Sequence, residues 1–181
     1  MTINDQDIIF ELKEGKDKNK AFRMLVQKYQ QRLYWHIRKI VVNHDDTDDI
    51  LQETMIKVWR NIDNFREESS LFTWLYRIST NEALSFLKQK QRQATNSDDG
   101  ISDYLVETLR ADPHFNGDDI QRKLQEAILK LPEKQRLVFN MKYFDEITYQ
   151  DMSNILGTTE GALKASYHIA VKKIEDFIKN S

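Results

Sequence analysis

The sequence predicts an all-α protein, and three observations carry that prediction. Only 5 Gly and 2 Pro occur in 181 residues, too few to cut a chain of this length into many short elements. Apolar side chains recur at steps of three and four over most of its length, the repeat of one helix face. No stretch alternates with period two for long enough to argue a strand.

The elements follow in order. Phe22, Leu25, Val26, Tyr29, Leu33, Ile37, Ile40 and Val41 share one face and predict a long first helix. After a polar break over 43–49, Leu51, Met55, Val58, Trp59 and Ile62 do the same. A third helix is expected to start near Ser70, whose hydroxyl suits an N-cap, and to run over residues 71 to about 92. Beyond residue 119 a new series opens with Ile120, Leu124, Ala127, Ile128 and Leu131. Pro132 then fits a first helical turn, which tolerates a missing N–H. Leu137, Met141 and Phe144 form the next stripe, and Met152, Ile155 and Leu156 a short one. Leu163, Tyr167, Ala170, Ile174 and Phe177 form the last.

Charge divides the same chain differently. The net charge is -2, from 27 Lys+Arg and 29 Asp+Glu, but residues 1–92 carry +2, residues 93–119 carry -6 and residues 120–181 carry +2. The acidic stretch also holds Pro113, Gly100 and Gly117, and it reads as a flexible linker. Two small helical domains are therefore expected, 1–92 and 120–181, joined by an acidic tether over 93–119.

Composition excludes several functions. With no Cys there is no disulfide scaffold, thiolate metal site or cysteine nucleophile. The opening MTINDQDIIF lacks the basic-then-apolar pattern of a signal segment, and no run approaches about 20 apolar residues, so no membrane insertion is expected. The near-zero charge argues against coating nucleic acid by electrostatics alone. The four histidines are scattered, and no Ser/His/Asp grouping or glycine-rich phosphate loop stands out. No catalytic, cofactor-binding or metal-ligating residue is assigned.

Three segments carry more information. Thr148 suits an N-cap for a short helix that ends at Gly157, and Thr158 or Thr159 suits a cap for a longer helix from Glu160. Short helix, glycine turn and long helix with Leu163 and Tyr167 inward form the layout of a helix-turn-helix. Its exposed face would present Glu160, Lys164, Ala165 and His168 to a major groove. Second, Thr73, Arg77, Asn81, Ser85, Lys88 and Arg92 make a polar, positive stripe beside Trp74, Tyr76, Phe65 and Phe72. Cations next to aromatic platforms suit single-stranded DNA, although a solvated helix face would look the same. Third, the acidic run from Asp45 to Asp49, with Glu53 one turn on, suits a magnesium site, a helix N-terminus, or a protein-docking surface with Gln52 and Trp59.

Together these segments resemble a bacterial RNA polymerase sigma factor of the extracytoplasmic-function (ECF) group. The resemblance covers about residues 20–92 and 120–178. The run DTDDILQETMIKVW from Asp46 looks like the family's polymerase-binding helix. Phe65-Arg66, with Phe72-Thr73-Trp74-Leu75-Tyr76-Arg77-Ile78 and Asn81, looks like its -10 region. Leu131-Pro132-Glu133 leads into the helix-turn-helix as in its -35 domain.

The resemblance implies roles for the matched positions. Asp48, Asp49, Gln52 and Glu53 would dock on core RNA polymerase. Phe65, Arg66, Trp74, Arg77, Asn81 and Lys88 would hold the unstacked strand of the -10 element. Thr159, Glu160, Lys164, Ser166 and His168 would face the -35 element, and the linker would thread the RNA exit path. It also implies promoter DNA, double- and single-stranded, as ligand, an anti-sigma factor (often membrane-anchored in the family) as partner, and a cytoplasmic location. Such a chain is not an enzyme. Two departures stand out: Ser166, Ile169 and Val171 replace the arginines usual along the recognition helix, and Asp151-Met152-Ser153 replaces the usual Glu-Ile-Ala. Fewer cations there imply a -35 grip that leans on shape and on the helix N-terminus. Two other classes stay open on sequence grounds: a stand-alone helix-turn-helix regulator, and a magnesium-dependent enzyme using Asp45 and Asp49.

Overall fold

The computed structural model of the chain describes residues 2–94 and 98–181. Part of the expected linker, residues 95–97, lies outside the described residues. Among the described residues the chain forms nine α-helices and one 3-10 turn, with no strand. The all-α expectation holds.

Four helices build the N-terminal bundle: α1 (Asp5–Lys13), α2 (Lys18–Val41), α3 (His44–Asn61) and α4 (Leu71–Ala94). Each start is fixed by a short polar side chain that satisfies an otherwise unpaired backbone N–H. Asn43 Oδ1 accepts from Asp46 N at 2.9 Å to open α3, and Ser70 Oγ accepts from Thr73 N at 3.1 Å to open α4. Asp45 and Asp46 fall in the first turn of α3, where the helix dipole favours negative charge. Leu25, Leu33 and Ile37 of α2, Val58 of α3, and Leu75 and Ala83 of α4 are fully buried. Each large apolar side chain so buried contributes roughly 1.5–3 kcal/mol relative to exposure.

No apolar stripe in the sequence predicts α1. Its apolar run is short, and only Ile8 is buried. Its place is held by a polar contact as well: the Tyr29 hydroxyl donates to Asp5 Oδ1 at 2.8 Å, and Lys28 Nζ reaches the same oxygen at 2.6 Å.

The C-terminal helices are α6 (Asp119–Leu129), α7 (Glu133–Tyr143), α8 (Tyr149–Leu156) and α9 (Glu160–Lys179). Ala127, Ile128, Leu131, Phe139, Ala170 and Ile174 form a core of their own. Two positions differ from expectation. Pro132 is the residue before the first turn of α7 rather than inside it. Ile120 is 77% exposed, because the first turn of α6 projects beyond the core its stripe serves.

The acidic stretch is the larger difference. Far from lacking an element, it carries α5 (Asp98–Arg110), which buries Leu105, Val106 and Leu109. Ser102 Oγ donates to the carbonyl of Leu129 at 2.8 Å, and the Arg110 guanidinium grips Glu126 with two bonds of 2.8 and 3.1 Å. The spacing Ile101, Leu105, Leu109 is helical, and the surrounding acids and turn residues obscured it.

One apolar cluster then runs through both halves. Leu129, Leu137, Val138, Met141, Ile147, Met152, Ile155 and Leu163 join the core that contains Leu33, Leu75 and Leu87. Helix α8 packs on α4, and α7 touches α2.

Candidate polymerase and nucleic-acid interface

Helix α3 turns Thr47, Ile50, Leu51, Thr54 and Val58 into the bundle. The periodicity that buries them leaves Asp48, Asp49, Gln52 and Glu53 exposed on the opposite side. Asp48 lies 3.4 Å from Nε2 of His44, whereas Asp49, Gln52 and Glu53 make no hydrogen bond or ion pair among the described residues. Trp59 does not share that open face. It is half-buried, edge-on to Phe22 at 5.1 Å and under Lys18. The acidic run gathers no metal cage either: among the described residues, no three His, Asp or Glu side chains come together to hold an ion. Burial pushes the Asp46 carboxyl up, against the opposing pull of Lys90.

Helix α4 carries the positive stripe. Arg77, Asn81, Ser85, Lys88 and Arg92 are exposed along it. Thr73 is not part of it: it is 1% exposed, and its hydroxyl accepts from Ser70 Oγ at 3.0 Å at the helix start. Tyr76 is likewise fully buried, against Phe72 and His36. Phe65 leans on Trp74 with ring centroids 5.3 Å apart, and Arg66 is exposed beside it.

A cleft of about 370 Å³ opens next to that aromatic pair, lined by Lys57, Asn61, Asn64, Trp74, Ile78, Asn81 and Glu82. Its chemistry is one aromatic wall, three side-chain amides and the Lys57–Glu82 pair at the rim; Asn61 Nδ2 already donates to the Lys57 carbonyl at 2.8 Å, and the remaining amide groups suit a planar ring with a polar edge. Asn61 and Asn64 were missed from sequence. Asn61 is the last residue of α3 and Asn64 the last of the Ile62–Asn64 turn, and neither falls on an apolar stripe, so no periodic signal points to them.

The helix-turn-helix forms as the residues suggest. Thr148 Oγ1 accepts from Asp151 N at 3.1 Å, and Thr159 Oγ1 accepts from Ala162 N at 3.3 Å. Between them Gly157 has φ 65°, ψ 33°, the left-handed conformation that lets the chain reverse. A Cβ built there meets nothing within 4 Å, so the cost of Gly157→Ala is conformational alone. It should be about 1 kcal/mol, or a melting temperature lower by about 2–4 °C, checked by thermal circular dichroism. Leu163 is fully buried, and Tyr167 stacks on Phe139 at 5.8 Å. Thr159, Glu160, Lys164 and His168 remain exposed and Ser166 is half-buried. Lys164 Nζ lies 5.6 Å over the ring of Tyr149, which Lys142 also covers at 4.5 Å. Arg136 ties α7 to the end of α6, with Nη1 3.2 Å from the Leu131 carbonyl; burial pulls its guanidinium below the usual range.

These surfaces do not lie apart. Arg77 Nη2 donates to the carbonyl of Asn154 at 2.7 Å, so α8 sits on the stripe of α4. Asp145, just past α7, is held by Lys39 Nζ at 2.7 Å, with Nδ1 of His36 3.5 Å from its other oxygen. The far nitrogen of His36 pairs with Thr80 Oγ1 at 2.7 Å. Burial pulls the His36 imidazole below its ordinary range, despite the neighbouring carboxylate. Burial alone would raise Asp145, but His36 and Lys39 together hold it below the usual carboxylate range. Arg38 is paired with Asp112 of the linker.

Comparison with known proteins matches the same segments. The family model for sigma-70 region 2 matches residues 25–93, and that for sigma-70 region 4 matches residues 121–174. The chain is 29% identical over 185 residues to the ECF RNA polymerase sigma-E factor of Haemophilus influenzae, covering 98% of this chain and 96% of that one. It is also 29% identical over 179 residues to the RNA polymerase sigma-H factor of Pseudomonas aeruginosa, covering 94% and 92%. The fold is shared with the sigma factor RpoE of Bartonella quintana, solved in complex with the anti-sigma factor NepR. There the TM-score is 0.72 at 24% identity, over 88% of this chain and 98% of that one.

Proposed function

Since the chain belongs to the ECF group of RNA polymerase sigma factors, we propose that it binds core RNA polymerase and directs initiation at promoters whose -10 and -35 elements it reads. The observation that carries this reading is the cleft of Trp74, Asn61, Asn64 and Asn81 beside the exposed stripe Arg77, Lys88 and Arg92. A base lifted from the duplex finds a stacking wall and amide partners there, while the cations follow its phosphates. Residues 1–92 serve the polymerase and the -10 element, and 120–181 the -35 element.

Docking on the polymerase falls to Asp48, Asp49, Gln52 and Glu53, an acidic patch whose members point to solvent. Around the cleft, Phe65, Arg66, Trp74, Arg77, Asn81 and Lys88 hold the separated strand. On α9, Thr159, Glu160, Lys164, Ser166 and His168 meet the -35 duplex. The chain performs no bond chemistry; the polymerase does. As in the Bartonella relative, the regulating partner is an anti-sigma factor. No described helix is long and apolar enough to cross a membrane.

Run-off transcription with core polymerase and a promoter library tests the reading as a whole. Transcripts should start at a discrete promoter set only when the chain is added, whereas specific duplex binding without polymerase would favour a stand-alone regulator. Within that assay Lys164→Ala should lower initiation at -35-dependent promoters about tenfold, the value of one lost base or phosphate contact. Unchanged initiation there would remove Lys164 from the -35 face.

A further inference from the structure

We propose that the cavity between α2, α6 and the end of α7 is a binding site for a small aromatic carboxylate, whose ring lies among Trp35, Tyr143 and Phe144 and whose acid group pairs with Arg38. The site goes beyond the sigma reading and does not rest on it. None of the side chains named above for polymerase or promoter DNA lines it.

Size and walls suit a small molecule. The cavity holds about 840 Å³, more than twice the cleft at Trp74 and within the usual range for a ligand pocket. Val42, Leu109, Leu124 and Leu129 line it beside the aromatic rings. Trp35 and Tyr143 are 52% and 55% exposed and Phe144 is 38% exposed, although large apolar rings gain most from burial. All three line this one cavity, so the exposure is gathered at one place rather than scattered. Trp35 stands edge-on to Tyr34 at 5.1 Å, and Tyr143 edge-on to Phe144 at 4.9 Å. The walls therefore present ring faces and ring edges in turn, the surfaces against which a planar guest packs.

The polar side chains choose the sign of the ligand. Arg38 and Lys39 line the cavity with Asp112 as the one carboxylate, which leaves an excess of one positive charge. Asp112 takes Nη2 of Arg38, and Asp145 takes Nζ of Lys39 at 2.7 Å. Nη1 of Arg38 is shut off from water and has no hydrogen-bond partner among the described residues. A buried donor without an acceptor is costly, and more so when it is charged. The guanidinium is a planar fork, so one arm can take a carboxylate oxygen while the other stays on Asp112. A monoanion supplies the missing acceptor and cancels the excess charge. An alcohol supplies a weaker acceptor and no charge, and a dianion leaves one charge unmatched. Gln121, Gln125, His44 and His114 also line the cavity and add no carboxylate.

Naphthoate is the probe, titrated into the full chain by calorimetry. It should bind at one site, and naphthylmethanol, its neutral counterpart, about tenfold more weakly, since one charge-assisted bond is lost. Decanoate, an acid without a ring, should also bind more weakly than naphthoate. Gln125→Glu puts a like charge into the cavity on an isosteric side chain. It should weaken naphthoate about tenfold and leave naphthylmethanol unchanged. Gln121→Glu should act in the same direction, and it preserves the capping bond from Asp118 N to the side chain at 3.0 Å. If Gln125→Glu loses both ligands, Gln121→Glu decides. Trp35→Ala removes an exposed ring and should weaken acid and alcohol alike.

Equal affinity for acid and alcohol overturns the anion site, and decanoate as tight as naphthoate overturns the aromatic one. No saturable binding, or binding that none of the three variants changes, overturns the assignment of the cavity. Should the occupant be a second copy of the chain, sedimentation velocity would show a dimer that Trp35→Ala disperses, and a small-molecule site would be overturned by that result too.

Discussion

Asn81→Ala is expected to lower run-off transcription from a cognate promoter by about ten- to a hundredfold while leaving polymerase binding unchanged. The size follows from what one side-chain amide contributes to reading a base, about 1–3 kcal/mol, at 1.4 kcal/mol per factor of ten. Folding should not be disturbed, because Asn81 is exposed and makes no side-chain hydrogen bond among the described residues. Its neighbours in the cleft, Trp74 and Asn61, stay in place to hold a base less selectively. Permanganate footprinting should show loss of strand opening at the -10 element. Loss of polymerase co-purification instead would mean that the cleft belongs to the polymerase interface.

The second large effect is expected on α3. The double charge reversal Asp49→Lys with Glu53→Lys should weaken binding to core polymerase at least about a hundredfold. Truncating one partner of a buried, hydrogen-bonded charge pair at an interface costs about 2–5 kcal/mol, and reversal adds repulsion. Both side chains are exposed and make no ion pair among the described residues, so the bundle should keep its stability. A pull-down with tagged core polymerase, alongside a thermal melt of each variant, checks both halves. Retained polymerase binding with a normal melt would move the docking surface off this face of α3.

Much of this fold is legible in the sequence. The stripes from Leu25 to Val41 and from Leu163 to Phe177 are long and regular, and both became helices, because i, i+3 and i+4 side chains must share a face wherever a helix packs. Ser70 and Thr148 were readable as caps because a hydroxyl at a helix start has one obvious task; of the adjacent pair Thr158 and Thr159, the structure selects Thr159. Gly157 was readable as the turn because few other residues enter the left-handed region cheaply.

Other features left weaker traces. Helix α5 was hidden by its own charge, since a segment of net -6 with glycine and proline at hand looks like a tether until its leucines find a core. Thr73 looked like part of the positive stripe because spacing alone places it there. The capping bond with Ser70 turns it inward instead. Asn61 and Asn64 gave no signal, because a polar residue at a helix end and one in a 3-10 turn belong to no long repeat.

By itself the sequence determined the all-α class, the order of the three motifs and most of the face each helix would leave exposed, Thr73 and Trp59 excepted. These are local properties, decided by side chains within a few positions of one another. The tertiary structure alone decided that Asp145 meets Lys39, 106 residues away, and that Arg77 meets Asn154, 77 residues away. Periodicity sets which side of a helix is apolar, but it does not choose the partner. Here the two halves share one apolar cluster, and that burial brings opposite charges together. The distribution of charge first suggested two basic modules kept apart by an acidic spacer. The fold draws them together instead, with one module lying over part of the other's positive stripe.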